Sequence, residues 1–285
     1  MAIFPAPERA ERFIPEVWTA GIFYALRGEL VVASGLVCNH DYEGVIQDRG
    51  DKVKIPTVLD PTVEDYSPIT GFGDEIQDII GGETSFEIDQ SKAFRFKVDD
   101  IAKVQSLIGG QYMTEGMTRA ARKLAEAADS YVAGKILAAS VAYKKSDLLL
   151  TAAPDVLYGQ LVDIRVALDK TNTPANGRFL IVSPDLYGRL LMDPRFIDAS
   201  QSGSTEPLRN GLVGRILGFD VVVANTLPAK THAIAGHKIA TSYADQIVKT
   251  EAYRPERWFA DAIRGLHVYG ARVMRAEHLA VMQSA

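Results

Sequence analysis

The chain has 285 residues, 47% of them hydrophobic and 24% charged, a composition that excludes a disordered or low-complexity protein. Its 31 Lys and Arg against 36 Asp and Glu give a net charge of −5, which excludes a bulk positive field that would hold nucleic acid through its phosphates. A single cysteine, Cys38, excludes an intramolecular disulfide and any zinc site that needs two thiolates.

No apolar stretch approaches the roughly 20 residues that a membrane-spanning helix needs. The first residues also lack the charged-then-apolar layout of a secretory signal. We therefore expect a protein without a membrane span that is made in a reducing cytoplasm.

The first hundred residues predict an arm followed by half-buried strands. Three prolines within residues 1–15 indicate an irregular arm, and a short amphipathic helix follows, with apolar residues at Val17, Trp18, Ile22 and Leu26. From about residue 45 to 98 apolar residues recur at every second position, which is typical of strands with one buried face. Because a two-stranded ribbon has little core of its own, we expect this region to lean on another surface.

A long helix and an alternating α/β region follow. Apolar side chains recur at steps of three and four from Tyr112 to Ser140 without a proline, which predicts one continuous helix. Residues 155–245 predict a helix over 156–170, a buried strand over 178–183, a helix that starts at Pro184 with Ser183 as its cap, strands over 219–224 and 232–235, and a helix near 239–246. The last forty residues return to strands.

The residue types that carry chemistry do not combine into an active site. Cys38 and His40 lack further metal ligands at a suitable spacing, so we predict no metal site and no cofactor. Ser183 or Ser242 could be combined with a histidine and an acid as a catalytic triad, but the sequence contains no Gly-x-Ser-x-Gly elbow that would expose such a serine. Gly211, Gly214 and Gly218 lack the Gly-Lys-Ser/Thr ending of a phosphate loop and the Gly-x-Gly-x-x-Gly of a dinucleotide site.

The C-terminal region interleaves arginines with aromatic residues. This pattern fits a surface that recognises nucleic acid, and it also fits a sheet that forms ion pairs between subunits. The overall acidity of the chain favours the sheet with ion pairs. The arm, the strand pair and the long helix all require partner surface to be stable. The sequence therefore indicates an assembly subunit rather than an enzyme.

Five segments, in this order, resemble the major capsid proteins of tailed bacteriophages with the Hong Kong 97-type fold, in particular those of phages of actinobacteria. They span residues 36–44, 86–94 with 98–101, 172–184, 210–221 and 259–270, with sequences such as NTPANGRFLIVSP and FADAIRGLHVYG. Together they extend over almost the whole chain.

The resemblance implies an α+β capsid fold with four parts. Residues 1–40 are the N-terminal arm, and residues 41–98 form an extended β-hairpin loop that reaches over a neighbouring subunit. Residues 99–150 and 246–285 form the peripheral domain with its long spine helix. Residues 151–245 form the axial α/β domain at the centres of pentamers and hexamers.

The implied function is structural. Many copies assemble as pentamers and hexamers into an icosahedral virion shell around double-stranded DNA, without sequence-specific binding, in the bacterial host cytoplasm. Portal, scaffolding and decoration proteins are expected partners. We expect Trp18, Phe86, Phe94 and Phe96 to lie at subunit interfaces; the alternative is that each packs within its own subunit. If they lie at interfaces, serine at Phe86 and Phe94 should disrupt the shell while leaving a folded subunit.

Two alternatives stay open on sequence alone. An encapsulin-type bacterial nanocompartment has the same fold but carries protein cargo. A cytosolic α/β enzyme would instead be a monomer or small oligomer with a cleft containing titratable groups whose pKa values are shifted.

Overall fold

The computed structural model describes residues 22, 25–26, 29–41, 52–58, 61–63, 66, 68, 80–101, 112–148, 154–193 and 215–284. The helices with full bounds in these residues are α1 (Tyr112–Ala138), α2 (Pro154–Lys170) and α3 (Pro184–Leu190). The strands are β1 (Lys52–Val58), β2 (Ile80–Glu87), β3 (Gln90–Asp99), β4 (Tyr143–Lys145), β5 (Arg178–Val182), β6 (Arg215–Ile216), β7 (Phe219–Val223), β8 (Thr231–His237), β9 (Thr241–Tyr253), β10 (Ala260–Val273) and β11 (Leu279–Gln283).

A six-stranded sheet has the order β4-β11-β8-β5-β7-β6. Strand β5 lies inside it, parallel to β7 and antiparallel to β8, and all five of its residues are buried. Phe179 and Ile181 join the apolar cluster that includes α1, whereas Leu180 and Val182 join the cluster built from α2 and α3. Helices therefore cover both faces of this strand, which explains its uninterrupted apolar sequence.

A three-stranded antiparallel sheet has the order β3-β10-β9. Strand β10 pairs with β3 from Ala260 opposite Asp99 to Tyr269 opposite Gln90, and it pairs with β9 along the other edge. Helix α1 packs against this sheet, and its small residues Ala121, Ala125 and Ala128 are buried in the apolar cluster that includes side chains of both sheets. Small side chains let the helix approach the sheet closely, so α1 contributes to the core of both sheets.

Strands β1 and β2 form the predicted antiparallel hairpin, from Lys52 opposite Glu87 to Val58 opposite Ile80. Among the described strands β1 pairs with β2 alone, which agrees with the expectation that this ribbon has little core of its own. Strand β3 lies in the three-stranded sheet and not in the hairpin.

Several sequence predictions are confirmed. The helix expected over 112–140 is α1, the helix expected over 156–170 is α2, and the strand expected at 178–183 is β5. The Ser183 hydroxyl accepts a hydrogen bond from the Leu186 N–H and caps α3, which begins at Pro184 as predicted.

The helix predicted near 239–246 is wrong. Only Lys238–Ala240 form a short 3₁₀ turn, after which β9 starts at Thr241 and continues to Tyr253. Residues 240–245 are all buried. The sequence therefore lacks the alternation of apolar and polar residues that indicates a strand with one solvent-exposed face.

The domain boundaries stay a prediction. Strands β4 and β11, which fall in the segments assigned to the peripheral domain, pair with each other and complete the six-stranded sheet. Strand β9 begins at Thr241, inside the segment assigned to the axial domain.

Candidate subunit-interaction site

The base of the hairpin is fixed to helix α1 by a polar contact. Asp89, which follows β2, accepts hydrogen bonds from the Tyr131 hydroxyl and from Lys135 Nζ, the second at 3.3 Å. Burial raises the pKa of Asp89, but these hydrogen bonds outweigh it and hold the pKa below its ordinary value. The carboxylate therefore stays charged and ties the hairpin base to the long helix.

The same base lies directly on strand β10. A Cβ atom placed on Gly270 would be 2.6 Å from the Glu87 carbonyl oxygen and 3.0 Å from the Ile88 Cα. Only glycine allows this close crossing of two backbones. Arg272 also donates a hydrogen bond to the Ser85 carbonyl, so three contacts set where the hairpin leaves the body of the subunit.

Phe86 packs within its own chain. Its side chain is 0% exposed and lies with Ile88, Ala244 and Val268 in a small apolar cluster. It presents no surface to a neighbour, and serine there would destabilise the subunit itself. This corrects the expectation that the Phe86 and Phe94 serine variant leaves the fold intact.

Phe94 and Phe96 are half-buried on β3, with ring centroids 6.3 Å apart. Phe94 covers Gly265 of β10, and Phe96 lies against Gly116 of α1, since a Cβ on either glycine would clash with the phenylalanine ring. Part of each ring is therefore used inside the subunit, and an interface role for both stays a proposal. Trp18 lies outside the described residues.

A second clamp holds the segment that follows the N-terminal arm helix. Asp129 of α1 accepts hydrogen bonds from the backbone N–H groups of Val31, Val32 and Ala33 at 3.1, 3.0 and 2.8 Å. Asp129 is 1% exposed, and burial raises its pKa against the opposing effect of these three donors. Sequence reasoning missed this residue, although an acid within the apolar stripe of a helix was a usable signal.

The outer face of the three-stranded sheet carries an open groove of about 510 Å³ lined by Phe94, Arg95, Glu251, Arg264 and Leu266 among others. Arg264 donates to a Glu251 oxygen from Nε at 2.9 Å and from a terminal nitrogen at 2.5 Å. This ion pair joins two strands of one subunit, and ion pairs between subunits stay a prediction. Its mixed apolar and charged lining suits a protein surface better than a small polar substrate.

The residues weighed as catalytic have structural uses. Ser183 Oγ caps α3 and lies 3.3 Å from His232 Nδ1. Cys38 is buried, and burial raises the pKa of its thiol far above the ordinary value, so it is a poor nucleophile or metal ligand. Within the described part of the chain, no three His, Cys, Asp or Glu side chains form a group that would hold a metal ion.

Comparison with known proteins decides the family. A profile of the family described as phage capsid protein matches residues 82–282, which is more than half of the chain. The chain belongs to the phage capsid proteins. No curated protein matches it.

Solved structures support this assignment to the capsid proteins. A structure from Mycobacterium phage Che8 is 30% identical, with 88% of this chain and 90% of that chain covered and a TM-score of 0.69. The capsid structure of the cyanophage P-SCSP1u is 15% identical, covers 84% and 85% of the two chains, and has a TM-score of 0.68. A virus-like particle from Pyrococcus furiosus is 16% identical, covers 96% and 100%, and has a TM-score of 0.61.

The sequence expectation of a Hong Kong 97-type α+β capsid fold is confirmed. The capsid protein is structural by family and by fold, and the encapsulin alternative is not favoured. Among the described helices, none combines the length and the apolar character that crossing a membrane requires.

Proposed function

We propose that this capsid protein assembles as pentamers and hexamers into an icosahedral shell that encloses the double-stranded DNA of a tailed phage. The observation that carries the proposal is the 30% identity to the Mycobacterium phage Che8 structure over 88% of the chain. The shell is the virion capsid, built in the bacterial host cytoplasm from many copies of this chain. Portal, scaffolding and decoration proteins are its further partners.

The anchored hairpin and arm support the proposal. Both are fixed to α1 at one end, through Asp89 and Asp129, while strand β1 pairs with the hairpin partner alone among the described strands. An element that is firmly attached at its base, but has little core of its own, gains stability by packing on a neighbouring subunit. The six-stranded sheet then packs around the fivefold and sixfold axes.

The proposal includes no catalytic role. Of the residues weighed for catalysis, Ser183 caps α3 and Cys38 is buried, so the proposed work of the chain is mechanical.

Sedimentation velocity of the purified full-length protein tests the proposal. We expect pentamers, hexamers or closed shells in equilibrium with little free subunit. A folded protein that sediments as a monomer over the whole accessible concentration range, both alone and with a scaffolding protein, would overturn the proposal.

A further inference from the structure

The loop between α2 and β5 presents an asparagine that is followed by glycine. Asn176 is exposed, and Gly177 has a φ of 77°, a left-handed conformation that glycine adopts without strain. A Cβ atom on Gly177 would lie 3.3 Å from Nε2 of His237. This turn therefore favours glycine, and the backbone nitrogen after Asn176 has no side chain of its own residue beside it. The chain's other Asn-Gly pair, at 210–211, lies outside the described residues.

The loop is fastened to the six-stranded sheet through its carbonyl groups. Arg178, the first residue of β5, donates hydrogen bonds to the Thr173 and Pro174 carbonyls at 2.5 and 2.9 Å. His237, the last residue of β8, donates from Nε2 to the Asn176 carbonyl at 2.8 Å. These three bonds hold the carbonyl groups of the loop and involve none of its side chains.

The two groups beside the Asn176 carbonyl are free to react with each other. Within the described part of the chain, no hydrogen bond is made by the Asn176 side-chain amide or by the Gly177 N–H. A group that is held in a hydrogen bond must break it before it reacts, and neither of these groups has such a bond to break. The Gly177 nitrogen directly follows Asn176, so its attack on the side-chain carbonyl carbon closes a small ring.

We propose that Asn176 is a site of spontaneous deamidation in the folded subunit. The Gly177 backbone nitrogen loses its proton to the solvent and attacks Cγ of Asn176, and Nδ2 takes up a proton and leaves as ammonia. The product is a cyclic imide. Water then adds to one of the imide carbonyls and cleaves its C–N bond, which gives aspartate or isoaspartate, so the net reaction consumes water and releases ammonia. This inference concerns the single chain and does not depend on the proposed function.

The contacts of the Asn176 carbonyl favour the first step. When the Gly177 nitrogen loses its proton, amide resonance places part of the negative charge on the Asn176 carbonyl oxygen. His237 already donates a hydrogen bond to this oxygen, and Arg178 and Lys238 add positive charge close to His237. Donors and charges that are fixed where negative charge develops lower the barrier of a reaction.

Asn172 provides a matched comparison in the same loop. It is exposed like Asn176, but the next N–H, that of Thr173, donates to the Leu168 carbonyl at 3.1 Å. Thr173 is also buried and β-branched, so its side chain crowds the nitrogen that would have to attack. We therefore expect Asn172 to keep its amide.

The reaction changes both the charge and the length of the loop. Aspartate adds a negative charge near the cationic Arg178 and Lys238. Isoaspartate also lengthens the main chain by one carbon shortly before β5, all of whose residues are buried. Because β5 is packed on both faces, the loop must take up this added length, which would draw the carbonyl of residue 176 away from His237.

Peptide mass spectrometry of the purified full-length protein, stored folded in mildly alkaline buffer, tests the proposal. Trypsin cleaves after Lys170 and Arg178, so a single peptide, residues 171–178, contains both asparagines. We expect position 176 to convert to the acid at least about tenfold faster than position 172, a ratio that corresponds to about 1.4 kcal/mol in activation free energy. The Asn176→Asp variant supplies the aspartate peptide as a standard, and a second peptide of the same mass is the isoaspartate product.

The same protein unfolded in guanidinium chloride separates the effect of the sequence from that of the fold. An Asn176 that keeps its amide in the folded protein, whether or not it converts in the unfolded one, would overturn the proposal. Equal conversion at positions 172 and 176 would also overturn it, because the free N–H of Gly177 would then have no effect. Faster conversion at position 176 in the folded protein supports the proposal whatever the oligomeric state of the subunit.

Discussion

Asp129 contributes to stability through its backbone partners. A single side chain satisfies three consecutive N–H groups from residues 31–33, which are separated from it by more than 90 positions in the sequence. A buried N–H without an acceptor costs free energy, so this carboxylate determines whether the segment after the arm can lie against α1. The sequence shows Asp129 as an acid within the apolar stripe of a helix. Its hydrogen-bond partners were not predictable, because every residue except proline has a backbone N–H and the sequence does not indicate which of them a side chain will bind.

Asp129→Ala should lower the free energy of unfolding by about 3 kcal/mol or more, since three N–H groups lose their acceptor. Asp129→Asn should cost about 1–2 kcal/mol, because Asn keeps the oxygen that serves Val32 and Ala33 and loses the one that serves Val31. Urea unfolding measures both values, with Asp163→Ala on the exposed face of α2 as the control. Equal stability of the Ala variant and wild type would contradict this role.

We expect His237 to make the subunit sensitive to acid. Its Nδ1 accepts a hydrogen bond from the Ile239 N–H at 3.3 Å and its Nε2 donates to the Asn176 carbonyl at 2.8 Å, so both nitrogens are used in the neutral form. Burial, with His278, Lys238 and Arg178 nearby, lowers the pKa of His237 below its ordinary 6.5. Burial also lowers the pKa values of His232 and His278.

A histidine with a lowered folded-state pKa binds its proton more readily in the unfolded chain. Its contribution to stability is therefore complete above pH 6.5 and is lost as the pH falls toward the folded-state pKa. We expect wild type to lose stability between pH 7.5 and 5.5, and His237→Asn to lose less. Urea unfolding at the two pH values tests this, and an unchanged pH dependence in the variant would show that His237 is not responsible.

The helices and strands were predictable from the sequence where one face is exposed to solvent and the other is buried. Helix α1 has a polar side and an apolar stripe over 27 residues, so its period of 3.6 was legible in the sequence. Strand β9 is buried over Thr241–Asp245, and a 3₁₀ turn precedes it. The sequence of that turn resembles the start of a helix. Its identity depends on pairing with β10, a long-range contact that no local pattern encodes.

Two glycine substitutions should have opposite effects. Gly270→Ala should destabilise the subunit by about 1–3 kcal/mol, because the new Cβ would displace the hairpin base from β10. Gly134→Ala, in α1 with no atom within 4 Å of the new Cβ, should stabilise it by about 1 kcal/mol through better helix propensity. Thermal unfolding gives both signs. A neutral Gly270→Ala would mean that the crossing is looser than the structure shows.

At the scale of the whole molecule, the order of motifs was sufficient to predict the capsid fold, since it reflects the order of elements around α1. Which apolar side chains are exposed was less predictable from the sequence. Phe86 was expected at an interface and is fully buried, whereas Trp258 and Phe259 were noted only as part of a basic, aromatic stretch. Which side of a strand or turn faces outward is decided by tertiary packing, so the sequence does not contain it locally.

The acidic chain should bind DNA weakly. With a net charge of −5 it gains little from counterion release, so we expect dissociation constants of micromolar or weaker for unassembled subunits at physiological salt. In the proposed shell, weak contact with the protein would let the packaged DNA leave. Fluorescence anisotropy with a labelled duplex measures the affinity, and nanomolar binding would contradict this prediction.

Electron microscopy of the purified recombinant protein, with size-exclusion chromatography of the same sample, tests the central claim most directly. We predict closed icosahedral shells, or free rings of five and six subunits, with the six-stranded sheets nearest the ring axes. A well-folded chain that elutes as a monomer and shows no rings or shells at any concentration, alone or with a scaffolding protein, would contradict the account.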